Sequence, residues 1–121
     1  MTTAPVLQGL SERWMAFSLI EQMGNVGSEV GRTIRARATG NTARFDHALA
    51  RALELFDLTA SDPRWRGPRR REICRAREEF CRLFFDESVD PDSAAGLERY
   101  FLHFAMAANS QRAKSPKPLD A

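Results

Sequence analysis

The chain reads as all-α, an antiparallel up-down four-helix bundle with a long first helix, and three observations predict it. Apolar residues recur at spacings of four and three, as in Phe45, Leu49, Ala52 and Phe56, a helical and not a strand-like period. The segments so marked are separated by short runs of breaking residues at Thr39-Gly40-Asn41-Thr42, Asp62-Pro63 and Asp90-Pro91. Connections this short favour antiparallel neighbours. Length bounds the rest, because 121 residues suffice for one domain with a core and are too few for two ordinary ones.

Residues 1–10, with Pro5 and Gly9, are expected to form a flexible lead-in to a bundle over residues 11–110. Ser11 is placed to cap the first helix, with Glu12 near the positive end of its dipole. The pattern then runs through Trp14, Phe17, Leu19 and Ile20 to residue 38, a rod of roughly 42 Å. Its centre, LIEQMGNVGSEVGRTIRAR, carries three glycines, each costing about 1 kcal/mol against Ala in a helix interior. Gly24, Gly27, Ser28 and Gly31 fall on one stripe at i, i+3, i+4 and i+7. A stripe without bulk lets another backbone come close, so it is predicted to face a neighbouring helix or a second subunit. Beside it runs a polar line of Glu21, Asn25, Ser28, Glu29 and Arg32, and behind it an apolar line of Leu19, Met23, Val26, Val30 and Ile34.

Asn41 or Thr42 caps a second helix to residue 59. A linker over 62–68 follows, then a third helix over 69–85 with Ile73, Ala76, Phe80, Leu83 and Phe84 turned inward. Asp90 caps a fourth, with Pro91 at its first position and a core stripe of Leu97, Phe101, Phe104 and Ala108. The polar, proline-containing residues 111–121 are expected to be a disordered basic tail carrying Lys114 and Lys117.

Composition narrows the function classes. A hydrophobic content of 43% and a charged content of 28% belong to a globular chain and not to a disordered one. No run approaches 18 apolar residues, so no membrane span is expected. The opening MTTAPVLQGL lacks the marks of a secretory signal, which makes cytoplasm the default. Cys74 and Cys81, about 10 Å apart along a helix, are too distant for a disulfide and are expected as half-buried thiols. With His47 and His103 scattered, no zinc site arises, and no cofactor is expected.

The net charge of +2 conceals a local excess. Arg64-Trp65-Arg66-Gly67-Pro68-Arg69-Arg70-Arg71 places five arginines around one indole. Over residues 64–82 eight arginines face Glu72, Glu78 and Glu79. Guanidinium forks pair with phosphate oxygens and an indole offers a stacking surface for a base, so nucleic acid is the expected ligand. Ion pairing with those three glutamates is the plainer alternative. Three cations at a helix N-terminus are also electrostatically awkward, which points to an anionic partner. Arg32, Arg35, Arg37 and Arg44 make a second basic cluster around the first turn, expected at the opposite end of the bundle.

Two patterns touch on catalysis. Glu54 and Asp57 stand one turn apart, resembling half of the metal site of all-α nucleotide pyrophosphohydrolases, but Glu29 is followed by Arg32 where a second acid belongs. A salt-bridge network of Glu29, Arg32, Arg51, Glu54 and Asp57 is the favoured reading. Arg99-Tyr-Phe-Leu-His103 is similar to the Arg/His pair of helical HEPN ribonucleases, with three intervening residues instead of four to six. A structural pair is favoured there as well, and no catalytic or metal-binding residue is assigned.

From Trp14 to Ala108 the elements EQMGNVGSEVGR, RALELFDLT, DPRW and YFLHFAMAA resemble those of small uncharacterised bacterial four-helix-bundle proteins. More remotely, size and scattered arginine are similar to the intervening-sequence-encoded bundles and to the accessory proteins of diversity-generating reverse transcriptases. The latter resemblance implies a pentameric, nucleic-acid-binding accessory. The expectation is therefore a non-enzymatic, homo-oligomeric bundle binding RNA or DNA through Arg64, Arg66, Arg69, Arg70, Arg71, Arg35 and Arg37, with Trp65 stacking. The alternatives are a protein-interaction module, with a larger protein as partner, and an enzyme of one of the two kinds above.

Overall fold

The computed structural model describes residues 4–114, and every element among them is helical: α1 (Ala4–Met15), α2 (Leu19–Ala38), α3 (Thr42–Ala60), α4 (Pro68–Phe85) and α5 (Ser93–Lys114). α2 packs against α3 and α5, and α4 lies against both α3 and α5.

The expected long first helix is two helices. The rod breaks at residues 16–18, where the Ser18 hydroxyl accepts the Glu21 backbone N–H at 3.2 Å and Glu21 Oε1 accepts the Ser18 N–H at 2.9 Å. This reciprocal box satisfies two N–H groups that a helix start leaves over. It also lets α1 turn back, so that Trp14 is buried against the core. Ser11 accordingly lies inside α1 instead of at its start, and the chain is helical from Ala4.

The other boundaries follow local chemistry. α2 ends at Thr39 and Gly40, whose φ of +72° is the left-handed conformation that a helix exit favours, with the Asn41 N–H closing back on the Ala36 carbonyl at 3.0 Å. Asn41 caps α3 by accepting the Arg44 N–H at 3.0 Å. Gly67, at φ +59°, turns the chain into Pro68 at the first position of α4. α5 begins two residues later than Pro91 suggested, because Asp90 accepts the Asp92 N–H at 2.8 Å and holds Pro91 and Asp92 in a turn. At the C-terminal end α5 continues to Lys114, so the first four residues of the expected tail are helical, while residues 1–3 and 115–121, Lys117 included, lie outside the described residues.

Met23, Val26 and Val30 of α2, Ala52, Leu55 and Phe56 of α3, Ile73, Ala76 and Phe80 of α4, and Leu97 and Phe101 of α5 form the core. Aromatic rings knit it: Phe45 meets Phe84, Phe84 meets Phe80, Phe80 meets Phe56, and Phe56 meets Phe101, at centroid separations of 5.1, 5.3, 5.6 and 6.0 Å. The glycine stripe faces α5. A Cβ at Gly24 would stand 3.7 Å from Ala105 Cα, and one at Gly27 would stand 2.6 Å from Phe101 Cβ. Gly31 is buried beneath the guanidinium of Arg35 from the next turn, and Ser28 returns its hydroxyl to the Gly24 carbonyl.

Candidate functional site

The arginine-and-tryptophan linker does two different jobs, and only one of them faces solvent. Trp65 is 8% exposed, and its Nε1 donates to Gln22 Oε1 at 2.8 Å. Gln22 Nε2 donates to the Trp14 carbonyl at 2.9 Å and to Asp62 Oδ2 at 3.0 Å. Trp14 Nε1 donates to Thr59 Oγ1 at 2.9 Å, and that hydroxyl donates to the Leu55 carbonyl. Buried polar groups persist only when they are partnered, and here each of these is.

Arg64 belongs to the same knot. Its Nε and Nη2 reach the Asp62 carboxylate at 3.0 and 2.7 Å, and Nη2 also donates to the Phe17 carbonyl at 2.7 Å. The Arg64 guanidinium holds the Asp62 carboxyl down at about 2, against burial, which acts upward. The guanidinium carbons of Arg64 and Arg69 stand 4.5 and 5.8 Å from the Trp65 ring centre. The expected stacking platform is therefore occupied: Trp65 presents no free face to a base, and Arg64 is committed to Asp62. Sequence reasoning missed Gln22 and Asp62, whose types carry no motif, and it missed the Ser18-x-x-Glu21 signature that brings Trp14 to them.

The remaining arginines of this segment are exposed. Arg66 donates to the Pro63 carbonyl at 3.0 Å, and Arg69, Arg70 and Arg71 occupy the first turn of α4. None of these four makes an ion pair among the described residues, whose pairs are Arg32–Glu29, Arg51–Glu54, Arg64–Asp62, Arg77–Asp57 and Arg82–Asp86. Glu72, an acid at hand to neutralise them, instead accepts the Tyr100 hydroxyl at 2.6 Å.

The second basic cluster stands at the other end of α2, about 30 Å along a 20-residue helix. Arg37 lies over the rings of Phe45 and Phe84 at 5.6 and 5.5 Å. Arg32, Arg35 and Arg44, with His47 and Glu29, line a cleft of about 670 Å³ between α2 and α3 whose floor includes Ala36, Ala43 and Ala48.

The acidic residues form separate pairs instead of the expected network. Glu29 holds Arg32 at 2.9 Å, Glu54 holds Arg51 at 2.7 Å, and Asp57 holds Arg77 at 3.0 Å. All lie at the surface, where such a pair contributes about 0–1 kcal/mol. Among the described residues no group of three or more His, Cys, Asp or Glu could hold a metal ion. Arg99 and His103 are both exposed, and no hydrogen bond joins them. No described helix is long and apolar enough to cross a membrane. Comparison of the chain with family models, curated proteins and solved structures finds no match.

Proposed function

We propose that this protein is a non-enzymatic helical-bundle accessory that binds RNA or DNA through arginine-rich surfaces. One observation carries the reading. Arg66, Arg69, Arg70 and Arg71 are exposed without an acid partner among the described residues, at a helix start where the dipole already repels them. A phosphate backbone relieves that repulsion. The cluster of Arg35, Arg37 and Arg44 supplies a second contact region.

On this reading α2 to α5 form an up-down antiparallel bundle. Support comes from Gln22 meeting Trp65 near the start of α2, and Arg37 meeting Phe45 and Phe84 near its end. The bundle acts as a homo-oligomer, as a remote similarity to the accessory proteins of diversity-generating reverse transcriptases implies, which aligns several arginine ends into a larger surface. Both cysteines are free thiols, which suits a reducing compartment and a place in the cytoplasm. A second reading, a protein-interaction module, is favoured by Leu102 and Met106, which are 53% and 59% exposed one turn apart on α5.

Binding should weaken steeply with salt and show little sequence preference. The triple substitution Arg69→Ala, Arg70→Ala and Arg71→Ala should lower the slope of log affinity against log salt by about 1 per lost phosphate contact. Affinity and slope both equal to wild type would remove the proposal.

A further inference from the structure

The outer side of the α2–α3 pair carries two concavities that share Glu29 and Arg32. One is the cleft beside Arg44 and His47; the other continues past Arg51 and Asn25 to Arg13 and Phe17. Laid end to end, the two line a path along α3 from Ala43 to Leu55 that is about 18 Å long.

Its lining is chemically one-sided. Arg13, Arg32, Arg35, Arg44 and Arg51 face it, with Glu29 as the one carboxylate among the lining residues. Glu29 is engaged with Arg32, and Arg51 with Glu54, while Arg13, Arg35 and Arg44 make no ion pair among the described residues. An aromatic ring stands at one end. Phe17 is 37% exposed, yet it is held in place, edge-on to Trp14 at 5.6 Å and with its carbonyl fixed by Arg64. A second flat ring, the exposed His47, lines the other end.

We propose that this groove is the track of a single-stranded nucleic acid, with the arginines following the phosphates and a base stacked on Phe17. The inference rests on the nucleic-acid reading above and specifies its substrate and path. Strandedness follows from the ring: bases of a duplex are stacked on one another, whereas an unpaired base can splay out and stack on an exposed aromatic side chain such as Phe17. A basic channel with an aromatic platform is also the general solution for holding single strands without sequence preference.

The test is fluorescence anisotropy with a labelled single-stranded RNA of about 12 nucleotides, within the usual footprint, and a duplex of the same length. Wild type should bind the single strand more tightly than the duplex. Phe17→Ala should weaken the single strand by about 5-fold to 150-fold, the range of one lost base stack, while Phe17→Tyr restores it. Arg35→Ala with Arg44→Ala should weaken the single strand further, with all three variants still unfolding cooperatively. Equal affinity for both forms, or wild-type affinity in the groove variants alongside loss in the Arg69–Arg71 variant, would overturn the groove and leave the nucleic-acid reading intact. Failure of wild type to bind either form at low salt would remove both.

Discussion

Phe101 of α5 fills the space that a side chain at Gly27 of α2 would need, since a Cβ built there lies 2.6 Å from Phe101 Cβ and 3.0 Å from its Cγ. These are the root atoms of the ring and not a flexible tip, so the helices themselves would have to part. Gly27→Ala should therefore destabilise by about 1–3 kcal/mol, overriding the ~1 kcal/mol that Ala gains by helix propensity. Gly24→Ala meets ordinary contact at 3.7 Å from Ala105 and should be neutral or stabilising by up to about 1 kcal/mol. Urea midpoints at constant slope read both; equal shifts for the two would show that the stripe does not set the α2–α5 approach.

Asp62 gives an acid signature. Its carboxyl is lowered from 3.8 to about 2 in the folded protein by Arg64, so the ionised form is the one the fold stabilises. That contribution is complete above the unfolded value of about 3.9 and is lost as pH falls through about 2. Stability measured between these limits should drop more steeply for wild type than for Asp62→Asn, and parallel curves would contradict the assignment.

Tyr100 is the one tyrosine of the chain, which makes it a direct optical probe. Half-burial, and then its hydrogen bond to Glu72, raise the hydroxyl well above its usual value of 10.0. Tyrosinate absorbance should be missing at pH values near 10, and should emerge earlier in Glu72→Gln, which keeps the burial but removes the charge. Stability from the protonated hydroxyl is present below the unfolded value and is lost as pH rises. A titration midpoint at the ordinary value would place Tyr100 in water.

Gln22→Leu should be among the most damaging single changes. It leaves the Trp65 indole N–H buried without a partner, at a cost of about 1–3 kcal/mol, and takes from the Trp14 carbonyl one of its two donors, the Phe17 N–H at 3.1 Å remaining. Trp65→Phe removes that indole N–H, so the double variant should lose less than the sum of the two single ones. Strict additivity in a denaturant series would argue that the indole and the amide are not coupled.

The helices were legible because their stripes are regular. Met23, Val26 and Val30, Ala52 and Phe56, Ile73 and Phe80, and Leu97 and Phe101 are all both in the pattern and in the core. The break at residues 16–18 was masked because Trp14, Phe17 and Leu19 keep a helical spacing across it, while the Ser18–Glu21 box that decides the matter is written in two polar residues. Trp65 was misread for a similar reason. Five flanking arginines suggest a surface, but an indole N–H can be buried when a partner waits for it, and that partner, Gln22, is 43 residues away in sequence. Pairing at that separation follows from tertiary arrangement, which local spacing does not encode.

The Gln22 amide answers to three stretches of chain at once, the end of α1, the turn after α3 and the indole before α4. Sliding any one of them by a single residue would strand a hydrogen or a lone pair in a dry interior. Misaligned packings of these helices, which greasy surfaces alone would tolerate, are thereby penalised. One uncharged side chain thus proofreads the docking of three separate segments.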